Sequence, residues 1–438
     1  MTTVASAAEA PVESLVGNLF RHKAGELVSM LTRLFGVDRI ELAEDVVQEA
    51  LVAALQVWPY RGVPDNPGGW LATVARNRAL DILRREKVLD GKIRRGRGAA
   101  SPVFADPERF LEDPFGDDQL TMMFLCCHPV LSREAQIALT LKTVSGFGVA
   151  EIARAFLVPR ETIAQRLVRA KRRLAAKRVA FALPLPEHCA PRRDAVLQIL
   201  YLLFNEGYTV GEGRNLVRED LCAEAIRLCT LLAGHPVGDR PEAHALLALM
   251  LFQASRFQTR TDIDGNLLLM AEQDRSLWNG RLIREGLLHL GRAGTGDALS
   301  EYHLLAGISA CHAAAARYQD TDWRRILFYY DAIMDLHPSP VAALNRAVAV
   351  AMLEGPAAGL AALEGIRSER GLQAYYLLPA TFGELHERVG DLKKAAEFYR
   401  QALGLVRNET ERMFLHHKLE KAHIQEAENG ARRKLDHH

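Results

Sequence analysis

Nowhere in the sequence does an uncharged apolar run reach about 18 residues, so no membrane-spanning helix is expected. The opening MTTVASAAEAPVES lacks the basic start and apolar core of a secretory signal, which points to a cytoplasmic protein with no membrane partner. Cysteine is scarce. Cys126, Cys127, Cys189, Cys222, Cys229 and Cys311 form no CxxC pair and keep no regular spacing, so no disulfide framework is expected. Cys126, Cys127 and His128 are metal-ligand types, but adjacent side chains rarely close one tetrahedral site and no second pair completes it. Small buried thiols are the expectation there, with no metal and no cofactor. A surplus of charge is missing too: 55 Lys and Arg face 54 Asp and Glu, for a net charge of +1. A uniformly basic nucleic-acid coat is excluded, and only local charge is informative. No series of alternating β-branched strands occurs either, so the fold is expected to be all-α.

What is present is 438 residues, enough for two or three domains at roughly 150 residues each. A first unit spans residues 13–87. The Arg, Gly, Pro and Asp-rich stretch 88–118 reads as a linker. A second unit, 119–182, ends in the basic RLVRAKRRLAAKR, after which Pro184, Pro186 and Pro191 break the helix. The rest, 191–430, is helical with mixed charge. Within it, YLLPATFGELHERVGDLKKAAEFYRQALGLV places Gly383, Gly390, Ala395, Tyr399 and Ala402 as a tetratricopeptide repeat of about 34 residues would. Ala347, Gly355 and Leu363 fall in step upstream, and Ala314, Tyr330 and Pro338 before them. Stacked helix pairs with a concave surface would follow.

The second unit has helix-turn-helix grammar in FGVAEIARAFLVPRETIAQRLVRAKRRL. Ile152, Ala153 and Phe156 give one short apolar face, Val158-Pro159 breaks it, and Ile163, Leu167, Ala170 and Leu174 resume at i, i+4, i+7 and i+11. Arg160, Thr162, Gln165, Arg166, Arg169 and Arg173 are left on the outward side. Gln and Arg can pair bidentately with base edges, Thr can touch a thymine methyl, and further arginines meet phosphates. The cluster Arg160, Arg166, Arg169, Lys171, Arg172, Arg173, Lys177 and Arg178 has only Glu161 as a local counter-charge.

In the first unit, GGWLATVARNRALDILRREK sorts at 100° per residue into two faces. Leu71, Val74, Ala75, Ala79 and Ile82 form an apolar one. Trp70, Thr73, Asn77, Asp81 and Arg84, extended by Arg85, form the other. An aromatic platform, base-reading amide and carboxylate, and backbone-holding cations are what single-stranded nucleic acid favours. A plain surface Asp81–Arg84 pair beside a core Trp70 is the bland alternative. Upstream, AEDVVQEALVAALQVW offers Val46, Val47, Ala50, Leu51, Ala54 and Leu55 to a core and leaves Glu44, Asp45, Gln48 and Glu49 for solvent. An acidic helix beside a basic one suggests a basic protein partner as well as a nucleic acid.

Together, AEDVVQEALVAA and GGWLATVARNRALDILRREK resemble region two of bacterial RNA polymerase sigma factors of the sigma-70 family. EIARAFLVPRETIAQRLVRAKRRL resembles their region four, and the order and short linker resemble the extracytoplasmic-function group. YLLFNEGY at 201–208 and LNRAVAV at 344–350 resemble the long C-terminal extension of one of its subgroups. The resemblance implies a sigma factor rather than an enzyme, one that binds core RNA polymerase and directs promoter-specific initiation. It implies that Asp45, Gln48 and Glu49 grip the β′ clamp helices and that region four meets the β flap. It further implies that Trp70, Thr73, Asn77, Asp81, Arg84 and Arg85 engage the melted minus-ten strand. Arg160, Thr162, Gln165, Arg166, Arg169 and Arg173 would enter the minus-thirty-five major groove. The extension would control the sigma regions through a contact within the chain. Leu157 departs from the pattern, because such turns commonly hold glycine at φ > 0, where leucine costs on the order of 1 kcal/mol. Two rivals are an enzyme in the C-terminal half and a helix-turn-helix repressor on a helical scaffold. For the enzyme, Asp262, Asp264, Glu272, Asp274 and His303 are the candidate groups, although the acidic loop TDIDGNLLLMAEQD lacks a full calcium-site spacing.

Overall fold

A computed structural model describes residues 12–93, 115–156, 158–208, 218–296 and 299–435. Leu157 and residues 94–114 of the expected linker lie outside them. Helices dominate and no strand forms among the described residues, so the all-α expectation holds. No described helix is long and apolar enough to cross a membrane. The chain divides into two compact units, Met1–Ile199 and Leu200–His438.

The first unit contains α1 (Val12–Phe35), α2 (Ile40–Arg61), α3 (Pro67–Ile93), α4 (Phe115–Cys126), α5 (Arg133–Thr143), α6 (Val149–Ala155), α7 (Arg160–Ala176) and the start of α8 (Pro186–Tyr208), within which the division falls. Helices α1, α2 and α3 pack on one another around Leu27, Leu31, Ile40, Val46, Val47, Ala50, Leu71, Ala75 and Ala79, all essentially inaccessible to solvent. From Asp118 on, helix α4 is buried all round, and α1 and α5 both pack on it. On α7 the whole predicted apolar face, Ile163, Leu167, Ala170 and Leu174, is buried against α5 and α6.

The two halves of this unit share a core, because α1 packs on α4 and α5. Gly25 makes that possible: a Cβ there would lie 1.8 Å from the Val144 carbonyl oxygen, so only glycine lets the backbones approach. Gln119 Nε2 donates to the same carbonyl at 3.2 Å. Arg33 on α1 pairs with Asp118 on α4 at 3.0 Å, and Lys171 on α7 pairs with Glu44 on α2 at 2.6 Å.

The second unit is built of α9 (Glu219–Ala233), α10 (Pro241–Ala254), α11 (Gly280–Ala293), α12 (Glu301–Ala314), α13 (Trp323–Leu336), α14 (Pro340–Glu354), α15 (Pro356–Ile366), α16 (Leu377–Arg388), α17 (Leu392–Leu405) and α18 (Glu409–Leu435). Consecutive helices pack on each other throughout, and α10, buried on every side, also takes α12. The α16–α17 hairpin shows how sequence fixes such a pair. Gly390 turns the chain at φ 82°, the Asp391 carboxylate caps α17 by accepting from the Lys394 N–H at 3.2 Å, and Gly383 makes room for the Tyr399 ring. Ala395, Tyr399 and Ala402 fill the seam, buried with Val406 and Leu415. The same small-against-ring packing recurs at Gly307 with Tyr329 and at Gly286 with Phe252.

Candidate nucleic-acid interface

Helix α3 starts where Pro67 fixes the backbone and Asn66 Oδ1 accepts from the Gly69 N–H at 2.9 Å. That start places Leu71, Ala75 and Ala79 inward, with Val74 and Ile82 half-buried. Thr73, Asn77, Asp81, Arg84 and Arg85 are then exposed on the other side. Trp70 is half-buried and meets Trp58 of α2 edge-on, ring centroids 5.6 Å apart, so its indole is held rather than free to swing. Thr73 gives its hydroxyl to the Gly69 carbonyl at 2.8 Å. Asp81 and Arg84 do form the surface pair, at 3.6 Å, but with 58% and 74% of their side chains exposed it is a loose, water-screened contact.

On α2, Asp45, Gln48 and Glu49 stand exposed as expected, but two residues of that helix do not follow the pattern. Glu44, expected in solvent, is buried, because Lys171 reaches it from α7 and shields the carboxylate. Leu55, assigned to the apolar face, is 56% exposed, since no described element covers the outer side of that turn. A link that the sequence reading missed joins the two helices: Arg78 of α3 lies 3.6 Å from Glu49 of α2.

On α7, Arg160, Thr162, Gln165, Arg169 and Arg173 are exposed and Arg166 is partly so. The last five line one open groove of about 330 Å³ together with Ser132 and Glu134 at the start of α5. Glu134 is the second correction to the charge pattern. Hydrogen bonds from its own backbone N–H and from Ser132, with Arg166 and Arg133 nearby, hold its carboxyl below the usual range. The basic helix therefore has Glu134 and Glu44 as counter-charges besides Glu161, and Lys171 is withdrawn from its outward face.

The groups weighed for an enzyme in the second unit are engaged in local structure. Asp262 accepts from the backbone of Asp264 and Asn266 and from the Asn266 side chain, Asp274 accepts from Ser276, and Glu272 accepts from the Leu269 N–H. His303 Nδ1 meets the Ser300 N–H and hydroxyl in a capping box, with Nε2 3.2 Å from the Ala293 carbonyl. Cys126 and Cys127 are fully buried, and burial pushes the Cys126 thiol up to about 12.

Residues 19–88 match the family Sigma-70 region 2, residues 121–174 match Sigma-70, region 4, and residues 192–294 match a family of unknown function, DUF6596. An uncharacterized protein of Rhizobium meliloti (strain 1021) is 38% identical over 396 residues, which span 87% of this chain and 90% of that protein. No solved structure matches. The polar row on α3 and the groove on α7 each fall inside a matched region, so the chain carries regions 2 and 4 of the sigma-70 family, domains that imply binding to core RNA polymerase and promoter DNA and support a role in directing transcription initiation.

Proposed function

We propose that this chain is a sigma factor of the extracytoplasmic-function group in which three exposed faces divide the work. Asp45, Gln48 and Glu49 on α2 grip the β′ clamp helices, while region four meets the β flap. Trp70, Thr73, Asn77, Asp81, Arg84 and Arg85 on α3 capture the melted minus-ten strand, Trp70 by stacking and Asn77 and Asp81 by reading base edges. Arg160, Thr162, Gln165, Arg166, Arg169 and Arg173 on α7 read the minus-thirty-five major groove. The observation that carries this reading is the exposed polar row on α3 opposite a closed apolar face, with its aromatic member braced by Trp58. Residues 13–87 and 119–182 are the two sigma domains. Residues 191–430 form a tetratricopeptide-like extension that regulates them from within the same chain, in the cytoplasm and without enzymatic chemistry. The glycine-seated helix pairs support that assignment.

The test combines purified chain, core polymerase and a cognate promoter. Initiation is expected, with Asp45→Ala/Gln48→Ala weakening core binding and Asn77→Ala/Asp81→Ala reducing strand opening while duplex binding persists. Normal initiation by the first double variant removes the clamp assignment. A chain ending after Tyr208, which keeps α8 whole, tests the extension: unchanged activity removes its regulatory role. Tight duplex binding without core polymerase would favour a repressor instead.

A further inference from the structure

In the second unit a cavity of about 160 Å³ lies where the end of α10, the loop before α11, and helices α12 and α13 come together. Three of its lining residues carry a buried polar atom with no hydrogen-bond partner: Gln253 Oε1, Trp278 Nε1 and His312 Nδ1. Buried polar atoms are paired in the great majority of cases, so three around one cavity mark a place for a molecule that supplies the missing partners. Trp278 is itself only 7% exposed, which excludes bulk water as its partner.

The charge of the site is one-sided. Arg256 lines the cavity and donates to the Tyr208 hydroxyl, and Arg275 sits over the Trp278 ring at 4.9 Å while donating to the His312 carbonyl at 2.5 Å. Among the described residues no carboxylate lies within ion-pair distance of either guanidinium. Burial, and then Arg256 and Arg275, push the His312 imidazole down to about 4, so it is neutral near pH 7 and adds no charge. Apart from Ser309, the remaining lining is apolar or aromatic, supplied by Phe252, Met270, Ile308 and Tyr330.

We propose that this cavity binds a small aromatic carboxylate bearing one further hydrogen-bond donor, such as a ring hydroxyl. The Arg256 guanidinium and the Trp278 indole N–H would take the carboxylate, the amide oxygen of Gln253 would accept from the ring donor, and the apolar lining would enclose the ring. The volume suits the ring itself, since a cavity of about 150 Å³ holds benzene, and the partly open mouth leaves the polar substituents room to reach Arg256 and Gln253. An inorganic phosphate fits poorly, because one lining guanidinium in an apolar setting leaves most of its oxygens without donors. A consequence for transcription rests on the proposed regulatory role of the extension; binding itself does not.

Calorimetric titration of the full chain with 4-hydroxybenzoate, benzoate, 4-hydroxybenzamide and inorganic phosphate tests it. One 4-hydroxybenzoate per chain is expected, with benzoate weaker and the neutral amide and phosphate at least tenfold weaker. Arg256→Gln should abolish binding, and Ser309→Phe, which fills the cavity while leaving Gln253, Arg256 and Trp278 in place, should do the same while the ligand-free melting curve stays put. No saturable binding of either carboxylate, equal binding of the amide or of phosphate, or binding retained in Ser309→Phe would each overturn the proposal. Saturable 4-hydroxybenzoate binding lost in both variants upholds the site; if initiation is then indifferent to the ligand, the link between this site and transcription fails and the site stands, while the truncation after Tyr208 separately tests the regulatory role of the extension.

Discussion

Replacing Lys171 with Met should destabilise the first unit far more than an ordinary surface change. Its ammonium lies 2.6 Å from Glu44 Oε2, the two side chains are 14% and 11% exposed, and Glu44 Oε1 has no partner. Removing one member of such a pair strands the other charge, a loss of about 3–5 kcal/mol in buried settings. Residual exposure at both ends puts this pair at the lower limit, about 3 kcal/mol. For a unit of this size each kcal/mol moves the midpoint by roughly 2–4 °C, so a drop on the order of 6–12 °C is expected. Glu44→Gln/Lys171→Met should recover most of it, because a neutral buried pair leaves no stranded charge. Thermal and urea unfolding followed by circular dichroism measure both variants. A single variant losing under about 1 kcal/mol, or a double variant no better than the single, refutes the argument that this contact is a shielded ion pair. Promoter recognition should survive in the double variant, since Lys171 is withdrawn from the outward row of α7.

Gly25→Ala should cost at least the roughly 1–3 kcal/mol of ordinary overpacking, because the new methyl would meet the Val144 carbonyl, which is backbone and cannot rotate away; a melting curve like wild type would refute the close approach. His312 provides a pH test. Its folded value is pushed down to about 4 from 6.5, so its stabilising contribution is complete above pH 6.5 and is lost as pH falls toward 4, by up to about 3 kcal/mol. His312→Asn should therefore flatten the fall of urea midpoints between pH 7 and pH 4.5, and an unchanged slope would count against it. Iodoacetamide should label Cys189 and Cys311 first in the folded chain, with Cys126, Cys127, Cys222 and Cys229 reacting only on denaturation, since burial raises those thiols; rapid labelling of Cys126, read by peptide mass mapping, contradicts this.

Periodicity revealed much of the site because it is a local property. Leu71, Ala75 and Ala79 on α3 and Ile163, Leu167, Ala170 and Leu174 on α7 go inward as spacing alone requires, and that leaves Asn77, Asp81, Gln165 and Arg169 outward. What spacing does not carry is partnership across the chain. Glu44 looks like any solvent carboxylate until Lys171, 127 positions later, is brought onto it. Arg78 and Glu49 pair across two helices, and nothing in either segment signals the other. The acidic loop misleads for a related reason: Asp262 and Asp274 resemble ligands by composition, yet their oxygens are occupied by nearby N–H groups, a use that shows only once the turn is formed. The cavity in the second unit was invisible because its lining comes from four separated segments.

The missing side chain at Gly25 also sets how the first unit loses its structure. With the Val144 carbonyl seated in that gap, helices from both matched regions rest on common buried ground, and neither can come apart without exposing the core of the other. Helices α3 and α7 are therefore expected to unfold together. A change that loosens α7 is then expected to destabilise α3 as well, so the two helices cannot drift in stability independently.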